Sequence, residues 1–227
     1  MKNKILIIIT IFFQIIFANK LFSKEIDFKA KEIEILNDQN LTIAKNGTAI
    51  IKEDGVIIEG EIIEYFKDKS LLIINQGRIS TIDKNFEIDS NLIEYKIDES
   101  NLDFRGKVYL RDNNNNLVIK SDKINYNLDN RKIISRSYSE IFDKFDNTYR
   151  VDSFEYSIKD KIIKLNNLVA QDKDKNSFLV DLSYLDLNKK ELVAKDISMN
   201  FKLIETSENE PRLKGRSLVS NEKNTIV

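Results

Sequence analysis

The chain repeats itself roughly every thirty residues, and a fixed period of that length identifies stacked copies of one supersecondary unit before any fold is considered. The apolar alternations Ile26/Phe28, Val56/Ile58, Phe86/Ile88, Leu117/Ile119, Tyr149/Val151 and Phe178/Val180 begin at intervals of 30, 30, 31, 32 and 29 residues. Six units result. In the first four a small residue follows, Ala30, Gly60, Ser90 or Ser121, and the alternation resumes in opposite parity at Ile33/Ile35, Ile63/Tyr65, Ile93/Tyr95 and Ile124/Tyr126. The last two units keep the switch less cleanly, at Phe154/Tyr156 and Leu185/Leu187.

A second apolar stretch occupies the remainder of each unit: Leu41/Ile43, Leu71/Ile73, Leu102/Phe104, Ile133, Ile163/Leu165 and Leu192/Ala194. Gly47, Gly77 and Gly106 follow the first three, and Ser137, Asn167 and Asp196 hold the corresponding later slots. Alternation with period two, rich in Ile, Val, Tyr and Phe, predicts strands. Polar turn residues fall twice per unit, which predicts two strands per unit and about twelve strands of roughly nine residues in an antiparallel meander. A parity switch inside a strand turns half of its side chains to the other face unless the strand bends there. An extra residue at Ala30, Gly60, Ser90 and Ser121 supplies that bend as a β-bulge. The expected architecture is all-β, a folded-over sheet of jelly-roll section with an apolar inside, and its two end strands are left free for pairing with another chain.

Composition narrows the chemistry. The 227 residues include no His, Cys or Trp, which removes most zinc sites, Ser-His and Cys-His nucleophile systems and disulfides. Lys plus Arg number 36 against 37 Asp plus Glu, so no basic excess exists for a phosphate backbone and nucleic acid is not an expected partner. Met1–Lys4 carries two lysines, Ile5–Ala18 is an apolar run of 14 residues broken by Thr10 and Gln14, and Ala18 and Ser23 are small. This reads as a secretory signal over residues 1–23, because a bilayer span needs about 20 apolar residues. Cleavage after Ser23 removes Lys2, Lys4 and Lys20 and no acid, leaving 33 basic against 37 acidic residues.

Several features carry a structural reading beside a functional one. Tyr65, Tyr95, Tyr126 and Tyr156 recur at 30, 31 and 30 residues; core packing accounts for them, and in an open groove the same rings touch a lipid tail. Asp89, Asp122 and Asp152 lie out of register with the apolar set, as solvated outer-face residues do, and lack the dense Gly-Asp pattern of calcium-binding β-rolls. No carboxylate pair stands out for glycoside hydrolysis. The run Asn113–Asn116 reads as a hairpin turn. The apolar inner set proposed as a lipid-binding lining is Phe28, Ile58, Phe86, Ile88, Val108, Leu110, Leu117 and Ile119, together with the four tyrosines. Neither a catalytic residue nor a metal or cofactor is expected. The jelly-roll is assigned to residues 24–204, and residues 205–227, with Pro211 the only proline, read as a polar tail or linker.

The stretch Ile88–Asp98, its continuation Leu102–Leu110 and the related Ile119–Tyr126 resemble the organic-solvent-tolerance (OstA-like) repeats. That family includes the periplasmic lipopolysaccharide-transport bridge proteins and the N-terminal domain of the outer-membrane lipopolysaccharide-assembly protein. The resemblance spans residues 26 to 201, and Glu208–Ser217 is similar to the segment that leads from jelly-roll to barrel in the assembly protein. It implies a β-jelly-roll in the periplasm, associated indirectly with the outer membrane. Its interior slides lipopolysaccharide acyl chains, and neighbouring jelly-rolls join edge to edge. The chain departs from the assembly protein in having no Cys and in ending at Val227, so the expectation is either a barrel-less fragment or a free-standing periplasmic relative. Two other classes stay open: a self-assembling β-scaffold of the envelope without lipid binding, and an enzyme of envelope polysaccharides, which needs converging carboxylates in a polar cleft.

Overall fold

A computed structural model describes residues 24–144, 147–171, 177–200, 212–221 and 225–226; the expected signal segment lies outside them. They form one antiparallel sheet. Its first seven strands are long and consecutive: β1 (Ile26–Leu36), β2 (Leu41–Ile51), β3 (Val56–Phe66), β4 (Leu71–Thr81), β5 (Phe86–Lys96), β6 (Asn101–Asp112) and β7 (Leu117–Asn127). The next two positions in the sheet are filled by half-strands, β8 (Lys132–Ser135) with β9 (Ser139–Phe142), then β10 (Thr148–Val151) with β11 (Ser153–Ser157). β12 (Ile162–Gln171), β13 (Ser177–Asp186), β14 (Glu191–Asn200), β15 (Arg212–Asn221) and β16 (Thr225–Ile226) complete it.

The all-β class and the antiparallel meander are as the repeat predicts. The strand number is not: sixteen segments are described instead of twelve, because the middle strands break at the bend and two more follow residue 211. Residues 212–221, expected as part of a tail, pair with β14 along its length, from Glu191 opposite Asn221 to Asn200 opposite Arg212. Backbone hydrogen bonding drives that pairing, so it requires no apolar alternation from Arg212, Lys214, Gly215, Arg216 and Ser217.

Every long strand bends near its middle, and the bends line up across the sheet. Ala30, Gly47, Gly60, Gly77 and Ser90 are successive cross-strand partners. The returning strands turn on left-handed residues, Asn46 (φ 47°) beside Gly47, Gln76 (φ 47°) beside Gly77, and Gly106 with Lys107 (φ 76° and 51°), where the ladder slips. The sheet is thereby divided into two arms that close face to face. One inner-face row just past the bend runs Ile33, Ala44, Ile63, Ile74, Ile93, Phe104 and Ile124, and a second runs Phe154, Leu165, Ser183 and Ala194. Most of these side chains are fully buried.

The glycines at the bend are required by space. A Cβ on Gly77 would stand 2.4 Å from Ile74 Cγ2 and 2.8 Å from the Glu59 carbonyl, whereas one on Gly55, in the β2–β3 hairpin turn, would meet nothing within 4 Å. Gly77→Ala is therefore expected to destabilise by about 1–3 kcal/mol through overpacking. Gly55→Asn, which tolerates the left-handed φ of 66°, changes stability far less. Urea unfolding of the two variants measures the contrast.

The turns repeat as well. Short 3-10 segments Asn37–Gln39, Lys67–Lys69 and Ile97–Glu99 end on left-handed Asn40, Ser70 and Ser100. The Lys67, Ile97 and Leu128 amides donate to the carbonyls of Asn40, Ser70 and Ser100 at 2.9, 2.9 and 2.8 Å. Each turn is thus tied to the next, one repeat on. Opposite them, on the free end of the first arm, the Ile82 amide donates to the Gly55 carbonyl and the Asn113 amide to the Asn85 carbonyl, both at 2.9 Å.

Candidate functional site

The inner face of the folded sheet is the candidate site. On the first arm it presents Phe28, Ile58, Phe86, Ile88, Val108, Leu110, Leu117 and Ile119; on the second arm it presents Tyr65, Tyr95, Tyr126 and Tyr156. All twelve belong to or pack on one core. The neighbours expected to face outward do so. Asp89 accepts from Arg78 Nε at 2.6 Å and from Arg111 Nη2 at 2.9 Å, and the Lys120 ammonium lies 5.0 Å from the Phe142 ring centroid. Asp122 and Asp152 are exposed. No cluster of metal-ligating side chains occurs among the described residues.

Aromatic contacts bridge the two arms. Phe28 on β1 meets Tyr65 on β3 with ring centroids 6.2 Å apart, and Phe86 on β5 meets Tyr126 on β7 at 5.9 Å. The other two tyrosines cross between the arms by hydrogen bonds. The Tyr95 hydroxyl donates to Asp54 in the β2–β3 turn, and the Tyr156 hydroxyl donates to Asp112 at the end of β6. The periodic tyrosines thus mark the seam along which the second arm meets the first. Burial raises the pKa of Tyr95, an effect reinforced by its hydrogen bond to Asp54. Burial likewise raises Tyr156, reinforced by the Asp112 charge, and pushes Tyr126 up to about 12.

The inner face is uncovered at its β1 end. Ile33 is 45% and Ile35 64% exposed, beside partly buried Ile26, Phe28 and Tyr65. From β3 to β12 the same face is shut: Ile58, Ile63, Ile93, Phe104, Ile119 and Phe154 have no or almost no exposure. An apolar chain can therefore touch the inner face of this conformation at β1, and reaches the middle only if the arms part.

Outside, along the bend, lies a shallow depression of about 550 Å³ lined by Glu59, Glu61, Arg78, Asp89 and Lys107 among others. Its groups belong to a cross-strand ladder in which Glu59, Arg78 and Asp89 are successive partners. Asp89 is held by two guanidinium groups, those of Arg78 and Arg111.

Periodicity did not signal Lys24, Asp54, Asp112 or Asn115 as members of the seam. They sit before the first strand, at a strand end or in turns, where alternation carries no information. Ser183 was missed for the opposite reason, since it lies in the pattern but breaks its chemistry. Its register row holds Ile or Phe at the corresponding outgoing-strand positions 33, 63, 93, 124 and 154, and its hydroxyl is buried without a hydrogen-bond partner among the described residues. Removing an orphaned hydroxyl relieves its desolvation cost, so Ser183→Ala is expected to stabilise by about 1 kcal/mol. A lower melting temperature would show that the hydroxyl has a partner.

No family model matches the chain, and no curated protein matches it. Among solved structures it is similar to LptH, described as the LptA homologous periplasmic component of the conserved lipopolysaccharide transport device from Pseudomonas aeruginosa. The identity is 9%, the similarity covers 63% of this chain and 82% of that one, and the TM-score is 0.27.

Proposed function

We propose that the chain is a periplasmic lipopolysaccharide-binding component of a transport path to the outer membrane. It holds acyl chains against the inner face of the folded sheet and joins neighbouring jelly-rolls through its edge strands. The observation that carries this reading is the uncovered end of the inner face, where Ile33 and Ile35 continue the apolar interior into solvent on a strand whose other edge has no partner among the described residues. An exposed apolar surface continuous with a core is what a lipid-handling or edge-pairing protein needs and what an isolated sandwich avoids. The role requires no reacting group, and none is proposed.

A second reading has its own support. The closed packing from β3 to β12 is what a self-stacking envelope scaffold needs, with the edge strand alone as the working surface. A photo-crosslinking residue at Ile35, with Glu34 on the opposite face as control, separates the two in cells that make lipopolysaccharide. Crosslinks to lipopolysaccharide at position 35 and not at 34 are expected. Crosslinks at 35 only to another copy of the chain would favour the scaffold and overturn the lipid reading. The same pair at Ile88 and Asp89 reports whether lipid also reaches the middle of the sheet.

A further inference from the structure

Two polar clusters join the free ends of the arms, opposite the bend. In the first, Lys24, which precedes β1, donates from Nζ to Asp54 Oδ1 at 2.7 Å, to the Ile97 carbonyl at 2.9 Å and to Ser100 Oγ at 2.7 Å. Asp54 stands in the turn that ends the first arm; Ile97 and Ser100 stand in the turn that ends the second. Asp54 uses its other oxygen to accept from the Tyr95 hydroxyl, and its side chain is only 6% exposed. In the second cluster Asp112, at the first-arm end of β6, accepts from Tyr156 on the second arm and from the Asn115 amide at 3.1 Å and Asn115 Nδ2 at 2.7 Å. Asn115 Nδ2 also lies 3.1 Å from the Tyr156 hydroxyl.

Sheet hydrogen bonds run within each arm, so they do not resist the arms swinging apart about the bend. Resistance comes from apolar contact inside and from these cross-arm bonds at the rim. Charged groups this little exposed are costly to leave unpaired, which makes each cluster a two-state element, either joined or opened to water as a whole. We propose that the Lys24–Asp54–Tyr95–Ser100 and Asp112–Asn115–Tyr156 clusters are latches that hold the lips of the folded sheet together and control lateral access to its apolar interior. The proposal rests on the lipid reading only for what would enter.

The chain has no Cys, so spin labels can be placed without background at Glu53 and Asp98, exposed residues in the two turns that the first latch joins. In the full chain the label pair is expected to give one narrow distance distribution. Tyr95→Phe combined with Asp54→Asn is expected to lengthen and broaden it with the far-UV strand signal unchanged, and to raise binding of the apolar dye 1-N-phenylnaphthylamine several-fold. An unchanged distribution in the folded variant would overturn the proposal, whatever the outcome of lipid crosslinking at Ile35. If the double variant loses its strand signal, Lys24→Gln, which removes only a partly exposed ammonium, is read in the same way and by the same criterion.

Discussion

Raising the pH above 10 is expected to unfold the sheet in one cooperative step, in which its buried tyrosines ionise as the strands are lost. Tyr95, Tyr126, Tyr149 and Tyr156 are all within the core, and burial is the main reason that each holds its proton more tightly than a free tyrosine. Asp54, Asp112 and Asp143 add to the effect at Tyr95, Tyr156 and Tyr149, because each carboxylate faces the hydroxyl it accepts from. A folded pKa above the unfolded one contributes stability that is complete below pH 10 and is lost as pH rises toward the folded value. Over that range the unfolded chain binds fewer protons, so the slope of stability with pH is negative.

Each such tyrosine removes about 1.4 kcal/mol per pH unit, and four removing it together take away about 5 kcal/mol per unit. A domain with about 5–15 kcal/mol in total reaches its midpoint within one to three units of pH 10 on that slope. Tyr126, with a value near 12, leaves the sum first. The eight tyrosines and absence of Trp make the measurement direct: tyrosinate absorbance and far-UV circular dichroism are followed in one titration. Exposed Tyr138 and Tyr184 should ionise first, followed by half-buried Tyr65 and Tyr109, and the four core rings should ionise together with loss of the strand signal. All eight ionising in a single smooth wave while the strands persist would mean that the seam is open to water.

The repeat was legible because a strand, a bend and a return strand of fixed length leave a period in the sequence. Inward parity was legible for the same reason, and Phe28, Ile88 and Tyr156 all face the interior that alternation assigns them. What alternation cannot encode is the stagger between arms. Tyr95 and Tyr156 meet residues 41 and 44 positions earlier, and those partners lie at strand ends and in turns whose local pattern only says that the chain reverses. The closure of the interior was hidden too, since a lipid-lining face and a packed core use the same residues. The corner between β8 and β9 was hidden in another way. Ser137 reads as a turn-tolerant residue in the glycine slot, but with Ser121, Ser135 and Ser139 it forms a hydrogen-bonded cluster that satisfies a break inside the sheet.

Whether that interior is a core or a trough is decided by how much its middle matters to stability. Phe104 on β6 is fully buried and stands in the inner row between Ile93 and Ile124, so Phe104→Ala is expected to cost about 3–5 kcal/mol, the transfer term plus an unfilled cavity. Ile35 faces the same side on β1 but is 64% exposed, and Ile35→Ala should stay within about 0.5 kcal/mol. The two substitutions delete similar apolar groups from one face, so the contrast reports only on whether the opposite arm is present. Urea titrations of both variants measure it. A loss at Phe104 of less than about 1 kcal/mol would mean that the arms stand apart in solution and the side chain is already hydrated, since a truncated side chain leaves no cavity where there was no opposing wall. The large contrast would instead divide the inner face by function: a packed middle that maintains the fold, and a β1 end whose exposed Ile33 and Ile35 are available to ligand or partner at almost no cost in stability.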